Sequence, residues 1–126
     1  MRFGNREIVA ARRLKEQGLP WQPGPGHFVF DEAGIIEQPS PFQPRVYFIL
    51  DLKHFLRWSR TVEQLKAATF WLPTWHDARA LLRSMAVTDE AVVDALRHDR
   101  SVESGSELLT LYRLLSAGIV KGRVDA

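Results

Sequence analysis

The chain of 126 residues contains no cysteine. Disulfide bonds, thiolate zinc sites, cysteine-ligated iron–sulfur clusters and a cysteine nucleophile are therefore excluded. A domain of this length buries roughly two thirds of its unfolded surface, so it needs neither a metal nor a disulfide to fold. A chain without cysteine suits a reducing compartment, and we predict a cytoplasmic protein of bacterial type.

Long apolar runs are also missing. The longest strongly apolar stretch covers residues 46–50, far short of the roughly 18 residues that a membrane span requires. The first segment, MRFGNREIVAARRLKEQG, has no continuous apolar core and does not resemble a secretory signal. We expect no membrane partner.

Sequence motifs for catalysis and for metal binding are scarce. The four histidines are scattered, and none stands four residues from another, the spacing that places two imidazoles on one helix face for zinc. No Gly-x-Ser-x-Gly elbow is present. Gly24-Pro25-Gly26 lacks the lysine and the helix that follow a phosphate loop. The sequence therefore predicts no catalytic residue, no metal and no cofactor.

A small hydrolase-like enzyme with a histidine–carboxylate pair is an alternative. Its candidate pairs are His27 with Asp31 or Glu37, and His76 with Asp77. Asp51 and His54 are also close enough on a helix to form such a pair. For Asp51 and Asp77 the competing interpretation is structural, because acids at these positions cap a helix or complement its dipole.

Prolines are concentrated in one segment, where six of the seven lie between Pro20 and Pro44. The segment PWQPGPG predicts a stiff, extended arm, because proline fixes its own φ and keeps the preceding residue extended. After the arm, the pattern predicts a strand over 27–30, a turn over 31–34 with Gly34 left-handed, a return strand over 35–37 and a third strand over 45–50.

Helix signals fill the rest of the chain. They predict helices over 5–17, from the cap Asp51 to Trp58, over 61–69, from Thr74, from Thr88, and from near Glu107 to a stop at Gly118. Phe70-Trp71-Leu72-Pro73 is expected to end the third of these, and the tail 121–126 to be loose or a short edge strand. The predicted fold is α+β, a single domain over 1–126 with an N-terminal helix (1–18), a small two- or three-stranded antiparallel sheet (27–50) and four or five short helices packed on it (51–118).

Tryptophans and other large rings cluster near residue 21 and over 70–76. Tryptophan combines a polar N–H with an apolar body and is favoured at binding surfaces. The leading hypothesis is a binding or regulatory module that holds a protein segment or a small ligand at an aromatic surface rimmed by the proline arm. The competing interpretation is that these rings close the core over the sheet. The predicted ligand-binding residues are Trp21, His27, Trp71, Trp75, His76 and Arg79.

Basic side chains give a further alternative. The net charge is +2, and basic residues crowd the first helix and recur at helical spacing after residue 52, whereas acids gather after residue 88. A small DNA- or RNA-binding protein would use such stripes against phosphates, although a solvated helix face explains them equally well. The predicted nucleic-acid contacts are Lys53, Arg57, Arg60 and Arg83.

Overall fold

The computed structural model describes the backbone of residues 2–125 and the side chains through residue 122. The fold is α+β, as predicted, with an N-terminal helix, a three-stranded antiparallel sheet and several further helices. Its elements are α1 (Asn5–Glu16), β1 (Phe28–Phe30), β2 (Val46–Phe48), α2 (Leu52–Phe55), a 3₁₀ turn (Leu56–Trp58), α3 (Val62–Ala68), β3 (Phe70–Leu72), α4 (Trp75–Ser84), α5 (Asp89–His98), α6 (Ser101–Ser104) and α7 (Glu107–Asp125).

The chain divides into two compact units. The first consists of Pro20–Leu72 with the first four residues, and the second of Asn5–Leu19 with Pro73–Ala126. The sheet and helices α2 and α3 belong to the first unit, and the longer helices belong to the second. The single domain predicted for residues 1–126 stays a prediction.

The sheet has β1 at its centre, in the order β2-β1-β3 with both pairs antiparallel. Val29 of β1 pairs with Tyr47 on one side and Trp71 on the other. Because side chains alternate along a strand, these three residues share one face. Val29 is fully buried in a cluster with Ile36, Ile49, Phe55 and Leu65, and Trp21 and Tyr47 pack against that cluster.

The predicted return strand over 35–37 is wrong. The carboxylate of Asp31 accepts hydrogen bonds from the backbone N–H groups of Gly34, Ile35 and Ile36, at 3.0, 3.0 and 2.9 Å. These amides bond to a side chain, so residues 34–36 form a loop around Asp31, which is only 2% exposed. Gly34 does adopt the left-handed conformation predicted for it, with φ of 74°.

The third strand instead comes from Phe70–Leu72, which the sequence assigned to the end of a helix. Helix α3 ends at Ala68, and Thr69 is extended, with φ of −130° and ψ of 170°. All three residues of β3 are buried, which is typical of an apolar run in a covered strand. The sheet therefore extends beyond the predicted range of 27–50, and the segment 51–118 is not wholly helical.

In the second unit, α1 ends at a left-handed glycine. Gly18, with φ of 88°, and Leu19 donate their backbone N–H groups to the carbonyls of Lys15 and Leu14, the bonds of a Schellman ending. Tyr112 of α7 is buried, and its hydroxyl donates to the carbonyl of Pro73.

Helix α7 continues through Gly118 to Asp125, so the predicted stop at Gly118 and the loose tail are wrong. A Cβ at position 118 would lie 2.8 Å from Sδ of Met85, so Gly118 allows a close approach within the helix. Ala126 lies outside the described residues. Within residues 2–125, no helix is both long enough and apolar enough to cross a bilayer.

Candidate functional site

Three of the six predicted ligand-binding residues meet in the first unit, as an aromatic trio of Trp21, His27 and Trp71. The two indoles stack with centroids 6.2 Å apart and planes 12° apart, and the imidazole lies 4.8 Å from Trp71. The indole N–H of Trp21 donates to Nδ1 of His27 at 3.1 Å. Because Nδ1 accepts, the neutral ring carries its proton on Nε2.

The aromatic trio lies partly in the core of the first unit. Trp71 is 9% exposed, whereas Trp21 and His27 are half-buried. No acceptor among the described residues lies within hydrogen-bonding distance of the buried Nε1 of Trp71. The proline arm thus packs against Trp71 through Trp21, and the surface that the trio offers comes from Trp21 and His27.

The other three predicted residues belong to the second unit, near the start of α4. Trp75 is 40% exposed and His76 is exposed. The guanidinium of Arg79 lies 6.0 Å from the Trp75 ring and donates to Asp89 at 2.6 Å. Arg79 is therefore held by a carboxylate and a ring on its own unit.

Three of the four acids in the proposed histidine–carboxylate pairs bind backbone amides, and the fourth, Glu37, is exposed. Asp31 accepts from three amides, and Asp51 accepts from the backbone N–H of His54 as the cap of α2. Asp77 accepts from the backbone N–H of Thr74 in a capping box. The structural interpretation of Asp51 and Asp77 is thus confirmed. Among the described residues, no group of three or more histidines and acids could hold a metal ion.

The predicted nucleic-acid contacts are distributed over both units. Lys53 and Arg60 are exposed on the first. Arg57 lies over the Trp58 ring at 4.5 Å and donates to Gln38 and to the carbonyl of His54. Arg83, on the second unit, lies 3.5 Å from Asp89. Two of these four cations are therefore engaged within their own unit.

Sequence analysis missed a groove of about 960 Å³ between α1 and α7 in the second unit. We call it the α1–α7 groove. From the first helix it is lined by Asn5, Arg6, Val9, Ala10, Arg12, Arg13 and Glu16, and from the other side by Asp99, Ser106, Leu109, Thr110, Tyr112, Arg113 and Ser116.

The charge of the α1–α7 groove is predominantly positive, with four arginines and two carboxylates. Arg113 and Thr110 both bind Asp99, at 3.0 Å each. Burial tends to raise the pKa of Asp99, but the hydrogen bonds from Thr110 and Arg113 outweigh it and hold this pKa below its usual range. Asp99 therefore stays ionised and largely offsets Arg113.

The apolar lining of the α1–α7 groove is aliphatic and accessible. Val9 is 68% exposed, although α1 buries Ala11 and Leu14 on another face. Two signals in the sequence pointed here: the crowding of basic residues in the first helix, and a valine on its charged side. Neither indicated the second wall, because α7 lies about a hundred residues further along the chain.

In comparisons with known proteins, no family model, no curated protein and no solved structure matches this chain.

Proposed function

We propose that the protein is a binding module that holds an acidic segment of a partner protein in the α1–α7 groove. The observation that carries the proposal is the union of an arginine-rich rim and an accessible aliphatic lining in one groove of about 960 Å³. This volume lies in the range of pockets that enclose a ligand. The proposal keeps the leading hypothesis of a module that holds a protein segment and moves its surface from the aromatic residues to the second unit.

Arginine favours carboxylate partners. Its planar guanidinium matches a carboxylate in two parallel hydrogen bonds and is more weakly hydrated than an ammonium group. Arg6 and Arg13, seven residues apart, are exposed on one side of α1, and Arg12 is exposed on the adjacent side. A segment carrying several acidic side chains would meet these cations while its apolar side chains cover Val9.

A protein segment suits the groove better than a nucleic acid does. Nucleic-acid surfaces that hold single strands combine cations with exposed rings on which bases stack. The only ring in the lining, that of Tyr112, is buried. Glu16 would also repel a uniformly charged phosphate backbone, whereas an acidic peptide can place a neutral residue beside it.

The test is binding of a fluorescently labelled, glutamate-rich peptide containing leucines, measured by anisotropy at about 50 and 200 mM salt. We expect saturable binding that weakens at the higher salt and is lost in the double variant Arg6→Glu/Arg13→Glu. Arg97→Glu, which reverses an exposed charge on α5 outside the groove, serves as the matched control and should leave binding unchanged. Circular dichroism checks that each variant is folded.

A labelled mixed-sequence oligonucleotide gives the competing outcome. If it binds more tightly than the peptide, and if Lys53→Glu weakens it while Arg6→Glu/Arg13→Glu does not, the nucleic-acid alternative replaces the proposal. Failure of the peptide to bind at the lower salt also overturns the proposal. The aromatic surface around Trp21 and His27 stays a prediction, to be examined if the peptide binds there.

A further inference from the structure

We infer that the occupant of the α1–α7 groove is an amphipathic α-helix, acidic on its polar face. This inference rests on the proposed function and adds the conformation of the bound segment and the residues that select it. It follows from the spacing of the lining residues and from the hydrogen-bonding needs of a backbone placed in such a groove.

The first wall of the groove presents a helical ridge. Asn5, Val9, Arg12 and Glu16 follow one another at intervals of four, three and four residues, so they align along one side of α1. Side chains of a neighbouring helix fit between ridges with this spacing. Helix α1 has 12 residues and spans about 18 Å, the length of a partner helix of about 12 residues.

The second wall repeats the pattern. Leu109, Arg113 and Ser116 of α7 lie four and three residues apart and form a matching ridge. Two packed helices with a ridge on either side of a groove leave the place that a third helix takes in a small bundle. The groove is therefore shaped for a rod rather than for a compact ligand.

The backbone of the occupant supports the same conclusion. Side chains form both helical walls, so neither wall offers a row of backbone amides with which an extended segment could pair. A helix satisfies its own interior N–H and C=O groups and can lie against Val9 and Leu109 without outside partners. A helical occupant avoids a desolvation cost that an extended one would incur.

Charge selects an acidic partner helix over a second copy of this chain. If two copies paired symmetrically through this groove, each would present the same predominantly positive surface to the other, and the like charges would repel. A helix with glutamates flanking an apolar stripe places opposite charges against Arg6 and Arg13 and its stripe against Val9. Docking of an amphipathic helix by its apolar face into a groove is an established mode of recognition.

The experiment compares two labelled peptides of the same composition, about 16 residues long. One places leucines at i, i+3, i+4 and i+7 with glutamates on the other face, and the other has the same residues scrambled so that no stripe forms. We expect the wild-type protein to bind the amphipathic peptide at least tenfold more tightly than the scrambled one, and the helical circular dichroism of the peptide to increase on binding.

A pair of matched variants locates the contact. Val9→Asp should weaken binding of the amphipathic peptide at least tenfold. Val102→Asp, at a valine that is 70% exposed on α6, should leave the affinity for the peptide unchanged. Both sites are exposed, so both variants should fold. Equal loss in the two variants would place binding outside the groove and overturn the inference.

The outcomes separate this inference from the proposed function. If both peptides bind equally and Arg6→Glu/Arg13→Glu abolishes both, the groove holds acidic segments but does not select a helix, and only the inference fails. If neither peptide binds, both fail. If sedimentation shows that the protein associates through this groove without peptide and Val9→Asp disrupts that association, the occupant is a second copy and the inference is wrong.

Discussion

The loop around Asp31 should be a principal determinant of the stability of the first unit. Asp31 is 2% exposed, and its carboxylate accepts hydrogen bonds from the backbone N–H groups of Gly34, Ile35 and Ile36. Asp31→Ala removes all three acceptors at once. We predict that this substitution lowers the free energy of unfolding by several kcal/mol.

The magnitude follows from the surroundings of each amide. Hydrogen bonds to a charged group contribute about 1.5–3 kcal/mol, and a buried donor left without a partner costs about 1–3 kcal/mol. The bond from Ile36 is buried, and those from Gly34 and Ile35 are part-buried, so water replaces the carboxylate more easily at the latter two. We expect a total of about 3 kcal/mol, which changes the unfolding equilibrium on the order of 100-fold.

Asp31→Asn provides a sharper comparison. An amide that keeps its oxygen in the place of Oδ1 still accepts from Gly34 and Ile35, but it presents an NH₂ group to the N–H of Ile36. Asp31→Asn should therefore lower the free energy of unfolding less than Asp31→Ala does. It should leave mainly the Ile36 amide without an acceptor. Glu37→Ala, at an exposed neighbour, is the control and should change stability by less than about 0.5 kcal/mol.

The assay combines urea denaturation with amide hydrogen exchange followed by NMR. Trp21, Trp58 and Trp71 report by fluorescence on the unit that contains Asp31. In Asp31→Ala, exchange should accelerate at all three loop amides, and in Asp31→Asn chiefly at Ile36. If Asp31→Ala unfolds within about 0.5 kcal/mol of the wild type and exchange in the loop is unchanged, the reasoning is refuted.

Two predictions concern the second unit. Tyr112→Phe removes the hydroxyl that donates to the carbonyl of Pro73 and should cost about 1–2 kcal/mol in urea denaturation. Burial, reinforced by two nearby carboxylates, raises the pKa of Tyr112 above its usual range. Above a pH of about 10 the hydroxyl therefore ionises more readily in the unfolded chain, so the free energy of unfolding is retained below that pH and falls above it. An equally steep fall in Tyr112→Phe would contradict ionisation of Tyr112 as the cause. On α7, Gly122→Ala should stabilise the helix by about 0.5–1 kcal/mol. Gly118→Ala should stabilise it less, because the added Cβ would lie 2.8 Å from Sδ of Met85. An equal rise of the melting temperature in the two variants would contradict that contact.

Local signals predicted the helix starts well. Asp51, Thr61 and Thr74 each accept a backbone N–H three residues further on, as their sequence pattern indicates. A cap depends on residues within one turn, so a single sequence contains the information that it needs. The left-handed Gly34 was predicted for the same reason.

Long-range pairing was not predicted. β3 pairs with β1 across about forty residues, and the local pattern of Phe70–Leu72 suits a buried helix end or a strand equally well. Asp31 could have been recognised as a loop acceptor, because aspartate commonly binds amides two or more residues ahead. Gly118 resembled a helix stop since its role depends on Met85, which lies on another element.

In the candidate sites, too, local patterns were predicted and contacts between distant segments were not. Trp21 and His27 do meet Trp71, as the stiff arm and the apolar run suggested. The α1–α7 groove needs two helices from opposite ends of the chain, and no pattern within either helix specifies that they pack together. The sequence showed that basic residues crowd the first helix, but it did not indicate which surface they line.

The most direct test of the account is NMR mapping of the acidic amphipathic peptide on the ¹⁵N-labelled protein. We predict that amide shifts concentrate on Val9, Ala10, Leu109 and Thr110 and that Arg6→Glu/Arg13→Glu abolishes them. Shifts confined to Trp21 and its neighbours, or no shifts at peptide concentrations that saturate the anisotropy signal, would contradict binding in the α1–α7 groove.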